Sequence, residues 1–192
     1  ARPPPRLTSL RKKLDVLPAC GLDRVHVCRF NYAFAQTTAE DFIDGIIARG
    51  LGARWVLVGD DFRFGARRAG SLVMLKQAAP RLGLDVAALA SVTLDGERVS
   101  STALRQALAA GDLERAGRLL GRTYSISGRV VRGDGLGRKL GFPTAHVQMK
   151  HNRPPLTGIF AVRLHGAASE PLPAVASLGV RPTVKQQGAP VL

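Results

Sequence analysis

The sequence predicts two dissimilar parts: an α/β domain built on a parallel sheet, then a small domain of short antiparallel strands closed as a barrel. Three observations carry this. Up to Gly121, apolar runs of strand length alternate with stretches whose apolar residues recur at helical spacing, the pattern of strands joined by crossover helices. After Gly121 the helical period disappears, and short apolar runs follow one another between Gly and Pro residues. The chain has 192 residues, enough for two small hydrophobic cores. The boundary is expected near Arg122, giving domains 1–121 and 122–192.

The elements follow in order. Thr8 is the expected cap of a helix carrying Leu10, Leu14 and Leu17, which Gly21 stops. Arg24 to Cys28 reads as a short strand, followed by a loop through Asn31. Thr38 with Asp41 three residues on has the form of a capping box, and Phe42, Ile43, Ile46 and Ile47 supply the apolar stripe of the helix it opens, which ends before Gly50. Trp55 to Val58 is apolar without interruption, as expected of a strand buried on both faces. Leu72 to Leu82 is expected to be helical and Val86 to Leu89 extended. Two short helices come next, Thr102 to Ala110 stopped by Gly111, and Leu113 to Leu120 between an Asp112 cap and a Gly121 stop. Tyr124 to Val131, Ala145 to Gln148, Gly158 to His165 and Ala174 to Leu178 are the strand candidates of the second domain.

Net charge is the strongest feature of the composition, +14 with a pI near 11.3. Nucleic acid is one reading of such a field. Against it, aromatics make up only 5% and the basic residues are scattered rather than gathered in a tail. Between Gly135 and Leu192 Glu170 is the sole acid, facing Arg138, Lys139, Lys150, Arg153, Arg163, Arg181 and Lys185, a field that equally suits a polyphosphate. Mean hydropathy of +0.04 fits a globular chain, no apolar run reaches the length of a membrane span, and Ala1 to Arg6 lacks an apolar signal core, so the expected location is the cytoplasm. Cys20 and Cys28 lack CxxC spacing and are expected as buried thiols.

Three motifs carry chemistry. Gly59-Asp60-Asp61-Phe62-Arg63-Phe64-Gly65 leaves the carboxyl end of a strand, where ligands of parallel sheets collect. Gly59 permits close backbone approach, and Phe62 and Phe64 either bracket a flat ring or are two core aromatics beside an ordinary turn. Ser100, Ser101 and Thr102 open a helix, where free amides and the dipole favour an anion, and Arg105 one turn on can fork to a phosphate. The plainer reading makes Ser101 an N-cap and Arg105 a solvated side chain. Gly133, Gly135, Gly137 and Gly141 punctuate nine residues whose amides either curl around phosphate oxygens or form a flexible turn.

In their order and spacing these segments, with Val99-Ser100-Ser101-Thr102-Ala103-Leu104-Arg105 and Gly137-Arg138-Lys139-Leu140-Gly141-Phe142-Pro143-Thr144 in full, resemble the prokaryotic bifunctional riboflavin kinase/FAD synthetase (FMN adenylyltransferase) family, from about Leu7 to Leu192. The resemblance implies a Rossmann-like nucleotidyltransferase domain, truncated at its N-terminus, followed by a β-barrel riboflavin kinase domain, truncated at its C-terminus. It implies ATP-dependent phosphorylation of riboflavin to FMN and adenylylation of FMN to FAD, with Mg²⁺ in both steps. ATP in the first domain would meet Gly59, Asp61, Arg98, Ser101, Thr102 and Arg105, and the flavin Phe62 and Phe64. ATP in the second would meet Gly133, Gly137, Arg138, Gly141, Phe142, Pro143 and Thr144. Arg181, Pro182 and Thr183 would form a flavin-side loop. Thr144 would ligate Mg²⁺, and His146 stands where the family has asparagine, an imidazole where a hard cation prefers oxygen.

The family's GxFDGxHxGH loop is expected before Arg2 and its glutamate base after Leu192, so catalytic residues are expected outside this chain and the chain alone is expected to be inactive. The partners implied are riboflavin, FMN and ATP, without nucleic acid or membrane. A single-function nucleotidyltransferase with an accessory barrel and a basic nucleic-acid-binding protein are the alternatives.

Overall fold

A computed structural model describes residues 3–131, 141, 144–149 and 154–179. Its contacts group into two compact units, His26–Arg98 and Ala1–Val25 with Val99–Leu192.

The His26–Arg98 unit is organised by a parallel strand pair. β1 (Trp55–Gly59) runs beside β4 (Asp85–Leu89) in the register Trp55↔Asp85 to Gly59↔Leu89. The crossover contains a two-residue antiparallel pair, β2 (Arg63–Phe64) with β3 (Gly70–Ser71), and the helix α4 (Leu72–Leu82). Ser71 caps α4 through the Met74 N–H at 3.4 Å, and left-handed Gly83 ends it, which is the fit between glycine and a positive φ. Upstream, Asn31 caps the short helix α2 (Tyr32–Ala35). The Thr38 cap is then observed: its hydroxyl accepts from Asp41 N–H at 3.0 Å and donates to the Asp41 carboxylate at 2.9 Å, a side-chain bond in place of the backbone one that would complete a capping box. α3 (Ala39–Asp41) widens into a π-helical segment, Phe42–Gly50, whose end is marked by Leu51 N–H donating to Ile46 five residues back. Ile43 and Ile47 from this segment, Leu75 and Ala79 from α4, and Phe64 and Leu84 make the core. Arg81 joins α4 to the π segment through Asp44 at 2.7 Å, and this hydrogen bond holds the Asp44 carboxyl below its ordinary value. A hairpin of β5 (Thr93–Leu94) and β6 (Glu97–Arg98) closes the unit.

Three expectations are corrected here. β1 is not buried on both faces: Val56 and Val58 pack inward, while Trp55 is 58% and Leu57 45% exposed, because helices pack against only one side of the pair among the described residues. Arg24 to Cys28 forms no strand; among the described residues no strand lies beside it to bond to, and its side chains are exposed. Cys20 and Cys28 are free thiols on the surface, not buried ones.

The other unit begins with α1 (Leu10–Val16), capped by Ser9 rather than Thr8, with the Lys12 N–H donating at 3.2 Å. A 3₁₀ turn, Pro18–Cys20, follows and ends at left-handed Gly21. α5 (Ser101–Ala109) is capped by Ser100 through Ala103 N–H at 3.1 Å, and α6 (Leu113–Leu120) lies between the expected Asp112 cap and Gly121 stop. Two antiparallel pairs complete the described part: β7 (Arg129–Val131) with β8 (His146–Gln148), and β9 (Gly158–Leu164) with β10 (Leu172–Leu178). Among the described residues every sheet is two-stranded and none closes into a barrel.

Ala103, Leu104, Ala107 and Leu108 of α5 and Ala116 and Leu119 of α6 share one core with Met149, Leu156 and Leu178. The compact units divide near Val99 because the apolar faces of α5 and α6 are buried against residues of the strand-rich segment.

Candidate functional site

The first candidate site begins where β1 delivers Gly59. The chain turns there, Phe62 N–H donating to Gly59 O at 3.1 Å, so Asp60 and Asp61 project from the turn. Arg98, at the end of β6, reaches them: its Nη2 lies 3.0 Å from Asp61 Oδ2 and 3.8 Å from Asp60 Oδ1. All three side chains are more than half exposed, so the attraction contributes at most about 1 kcal/mol to stability. Its consequence is electrostatic. Two carboxylates and one guanidinium leave a formal charge of −1, a cluster suited to hydroxyl and ring N–H groups of a ligand rather than to phosphate. Asp60 is the member that sequence reasoning did not assign to the site, and the 37-residue separation of Asp61 from Arg98 explains why the pairing was not visible.

Phe64 is 6% exposed and belongs to the core, with its ring centroid 5.2 Å from Phe42 and 5.4 Å from Phe62. A flat ring between Phe62 and Phe64 would need roughly 7 Å, two van der Waals thicknesses. In this conformation the two rings stack on each other, with Phe64 in the core and Phe62 partly buried against it.

The other compact unit carries a candidate site of its own at the start of α5. Because Ser100 serves as cap, the Ser101 hydroxyl is not spent on capping, and Ser101 and Thr102 are exposed on the first turn of α5. Their amides precede the first intrahelical bond, from Leu104 N–H to Ser100 O, and so belong to the donors that a helix N-terminus leaves for an anion. Arg105 is half-buried and engaged: Nε donates to Pro5 O at 2.9 Å and Nη1 to Ser101 O at 3.1 Å. The second bond turns the guanidinium back along the helix toward the end that carries Ser101 and Thr102.

The described part of the glycine-rich site is small. Gly141 has φ +79°, the left-handed conformation that glycine adopts without strain, and Thr144 is exposed two residues before His146. His146 pairs with Val131 in the β7–β8 register, so Thr144 stands at the end of that pair where the connection enters β8. Gly133, Gly137, Arg138, Phe142 and Pro143, and the flavin-side Arg181, Pro182 and Thr183, lie outside the described residues. Among the described residues no group of three or more His, Cys, Asp or Glu side chains gathers as a metal site. A shallow depression bordered by Leu7, Lys12, Ser125 and Met149 contains none of the expected site residues.

Tyr124 was not expected to matter. Burial pushes its hydroxyl up to about 12, partly opposed by the Arg122 charge, and the hydroxyl donates to Leu7 O at 2.8 Å.

Comparison with known proteins gives these residues their context. The FAD synthetase family model matches residues 1–103 and the riboflavin kinase family model residues 120–191. The chain is 47% identical over 181 residues to the bifunctional riboflavin kinase/FMN adenylyltransferase of Escherichia coli K12, covering 94% of this chain and 58% of that protein. The proteins of the same name from Haemophilus influenzae and Pseudomonas fluorescens are 41% and 47% identical, covering 94% and 88% of this chain and 59% and 54% of theirs. The chain thus spans a little over half the length of these relatives. A solved structure described as a macrolide-efflux protein from Streptococcus pneumoniae superposes with a TM-score of 0.73 at 26% identity, over 91% of this chain and 56% of that one. Among the described residues no helix is long and apolar enough to cross a membrane. With one family model covering more than half of its residues and a second matching most of the remainder, the chain belongs to the FAD synthetase family and carries a riboflavin kinase segment behind it.

Proposed function

We propose that the whole protein carrying this sequence makes FAD from riboflavin in two ATP-dependent steps. In the first, the ribityl 5′-hydroxyl attacks the γ-phosphorus of ATP, losing its proton as ADP departs, to give FMN. In the second, an FMN phosphate oxygen attacks the α-phosphorus of a second ATP and pyrophosphate leaves. The observation that carries the reading is the start of α5, where Ser101 and Thr102 are exposed beside free helix amides and Arg105 is turned toward them. Such an arrangement stabilises phosphate charge by position and charge-assisted hydrogen bonds.

In this reading Ser101, Thr102 and Arg105 hold ATP phosphates in the adenylyltransferase, Gly59, Asp61 and Arg98 meet the nucleotide's polar groups, and Phe62 lies on the flavin side with the buried Phe64 ring behind it. Gly133, Gly137, Arg138 and Gly141 to Thr144 hold ATP in the kinase, and Arg181 to Thr183 its flavin. The functional division is then 1–121 and 122–192, the second part folding as a barrel. Mg²⁺, bound by phosphate oxygens, would neutralise charge in both steps. The exposed Thr144 hydroxyl has the oxygen chemistry it requires, whereas the His146 imidazole does not. ATP and free flavins as substrates assign the work to the cytoplasm.

The test is conversion. The whole protein incubated with riboflavin, ATP and Mg²⁺ is expected to form FMN and then FAD, with one ADP and one pyrophosphate per FAD. Absence of both flavin products, together with steeply salt-dependent binding to random duplex DNA, would instead support the nucleic-acid reading that the charge of +14 admits.

A further inference from the structure

We infer that the proline segment Pro3 to Leu7 is a strap that positions Arg105 for phosphate binding; this rests on the reading of the α5 start as an ATP-phosphate site. The contact spans 100 residues of sequence, from Arg105 Nε to Pro5 O at 2.9 Å. With the bond from Nη1 to Ser101 O at 3.1 Å, it fixes the guanidinium at two points, one on the strap and one on its own helix. Arginine has five N–H donors, so three remain for a ligand after these two are used. An unrestrained arginine side chain gives up rotamer freedom when ordered. Here that ordering precedes ligand binding, and preorganisation of this kind appears as affinity.

The strap is chemically suited to the task. Pro3, Pro4 and Pro5 have restricted φ and no backbone N–H, so the segment favours an extended form, from which Pro5 presents its carbonyl to Arg105. Its far end is anchored where Tyr124 O–H donates to Leu7 O at 2.8 Å, and the Leu7 side chain packs on the core that holds Leu104 and Leu108. Leu7 falls in the segment matching FAD synthetase and Tyr124 in the segment matching riboflavin kinase. A residue of the second segment thereby supports the orientation of an arginine that serves the first activity. Pro5 and Tyr124 are positioning residues and do not themselves touch ATP.

ATP titrated calorimetrically into the 192-residue chain tests this with Arg105→Ala, Pro5→Gly and the double variant. Arg105→Ala is expected to raise the Kd about 10- to 100-fold, as for loss of a charge-assisted hydrogen bond, and Pro5→Gly about fivefold, with melting temperature little changed. In the Arg105→Ala background Pro5→Gly is expected to have no further effect, a coupling that a merely structural strap would not produce. Should Pro5→Gly fail to fold, Tyr124→Phe, which removes the anchor and keeps the ring, is read in the same way. No ATP binding by the parent chain at millimolar concentration, or an unchanged Kd in Arg105→Ala, overturns the phosphate reading and the strap with it. A weakened Arg105→Ala with an unchanged Pro5→Gly, or a Pro5→Gly effect that persists without Arg105, overturns the strap alone.

Discussion

Gly70→Ala is expected to destabilise the His26–Arg98 unit by driving a methyl group into the Phe64 ring. Gly70 and Phe64 face each other across the two-residue β2–β3 pair. A Cβ built on Gly70 falls 2.7 Å from Phe64 Cζ and nearer still to two other ring carbons. The backbone of Gly70 is not left-handed, so the objection is wholly steric. Phe64 cannot step aside cheaply: it is 6% exposed, with Phe42 at 5.2 Å and Phe62 at 5.4 Å. Overpacking a core in this way costs about 1 to 3 kcal/mol. Expulsion of the ring would approach the roughly 3 to 5 kcal/mol of a Phe→Ala change and sets the ceiling. Urea unfolding followed by the fluorescence of Trp55, the chain's single tryptophan and a member of this unit, reads the change. A second substitution that shrinks the ring, Phe64→Leu in the Gly70→Ala background, should recover part of the loss. A Gly70→Ala midpoint equal to the parent's, or no recovery in the double variant, would refute the packing.

Two further perturbations address the other unit. Leu108→Ala, at a side chain with 0% exposure, is expected to cost about 2.7 to 5 kcal/mol in urea unfolding followed by circular dichroism, while Leu113→Ala, at 41% exposure, costs under about 1. Similar costs would contradict the placement of α5 in a shared core. Tyr124 gives a pH signature: its folded pKa, about 12, lies above the ordinary 10.0, so the neutral form is favoured by folding. Its contribution is complete below pH 10 and is lost as pH rises from about 10 to 12; partial solvent screening reduces the expected loss to on the order of 1 kcal/mol. Melting temperatures of the parent and Tyr124→Phe should therefore converge over that interval, and a constant difference would contradict the assignment.

The parts of the structure legible in the sequence are those decided locally. Asp112 and Gly121 delimit α6, and Thr38 with Asp41 opens α3, because a cap is a bargain among four neighbouring residues. The same locality leaves an error of one residue where two hydroxyls adjoin, as at Thr8 and Ser9. Burial was less legible. Trp55 to Val58 is apolar on both faces, and nothing within four residues tells which face a helix covers. Val25 and Val27 have the alternation of a strand, but a strand requires a partner that local pattern does not supply. For the candidate sites, motifs pointed to Asp61 and Arg98 in one unit and to Ser101, Thr102 and Arg105 in the other, while the contacts Arg105 to Pro5, Tyr124 to Leu7 and Arg98 to Asp61 join residues 37 to 117 positions apart.

The central claim is that one polypeptide holds two separate ATP sites, one at α5 and one at Gly141 to Thr144. Rates of riboflavin phosphorylation and of FMN adenylylation, measured separately on Arg105→Ala and Thr144→Ala in the whole protein carrying this sequence, test it most directly. Thr144→Ala is expected to lower phosphorylation by about 10²- to 10³-fold, as removal of one preorganised polar group does, and leave adenylylation intact. Arg105→Ala is expected to do the reverse, lowering adenylylation by about 10- to 100-fold. Parallel loss of both activities in either variant, or no loss in both, would contradict the account.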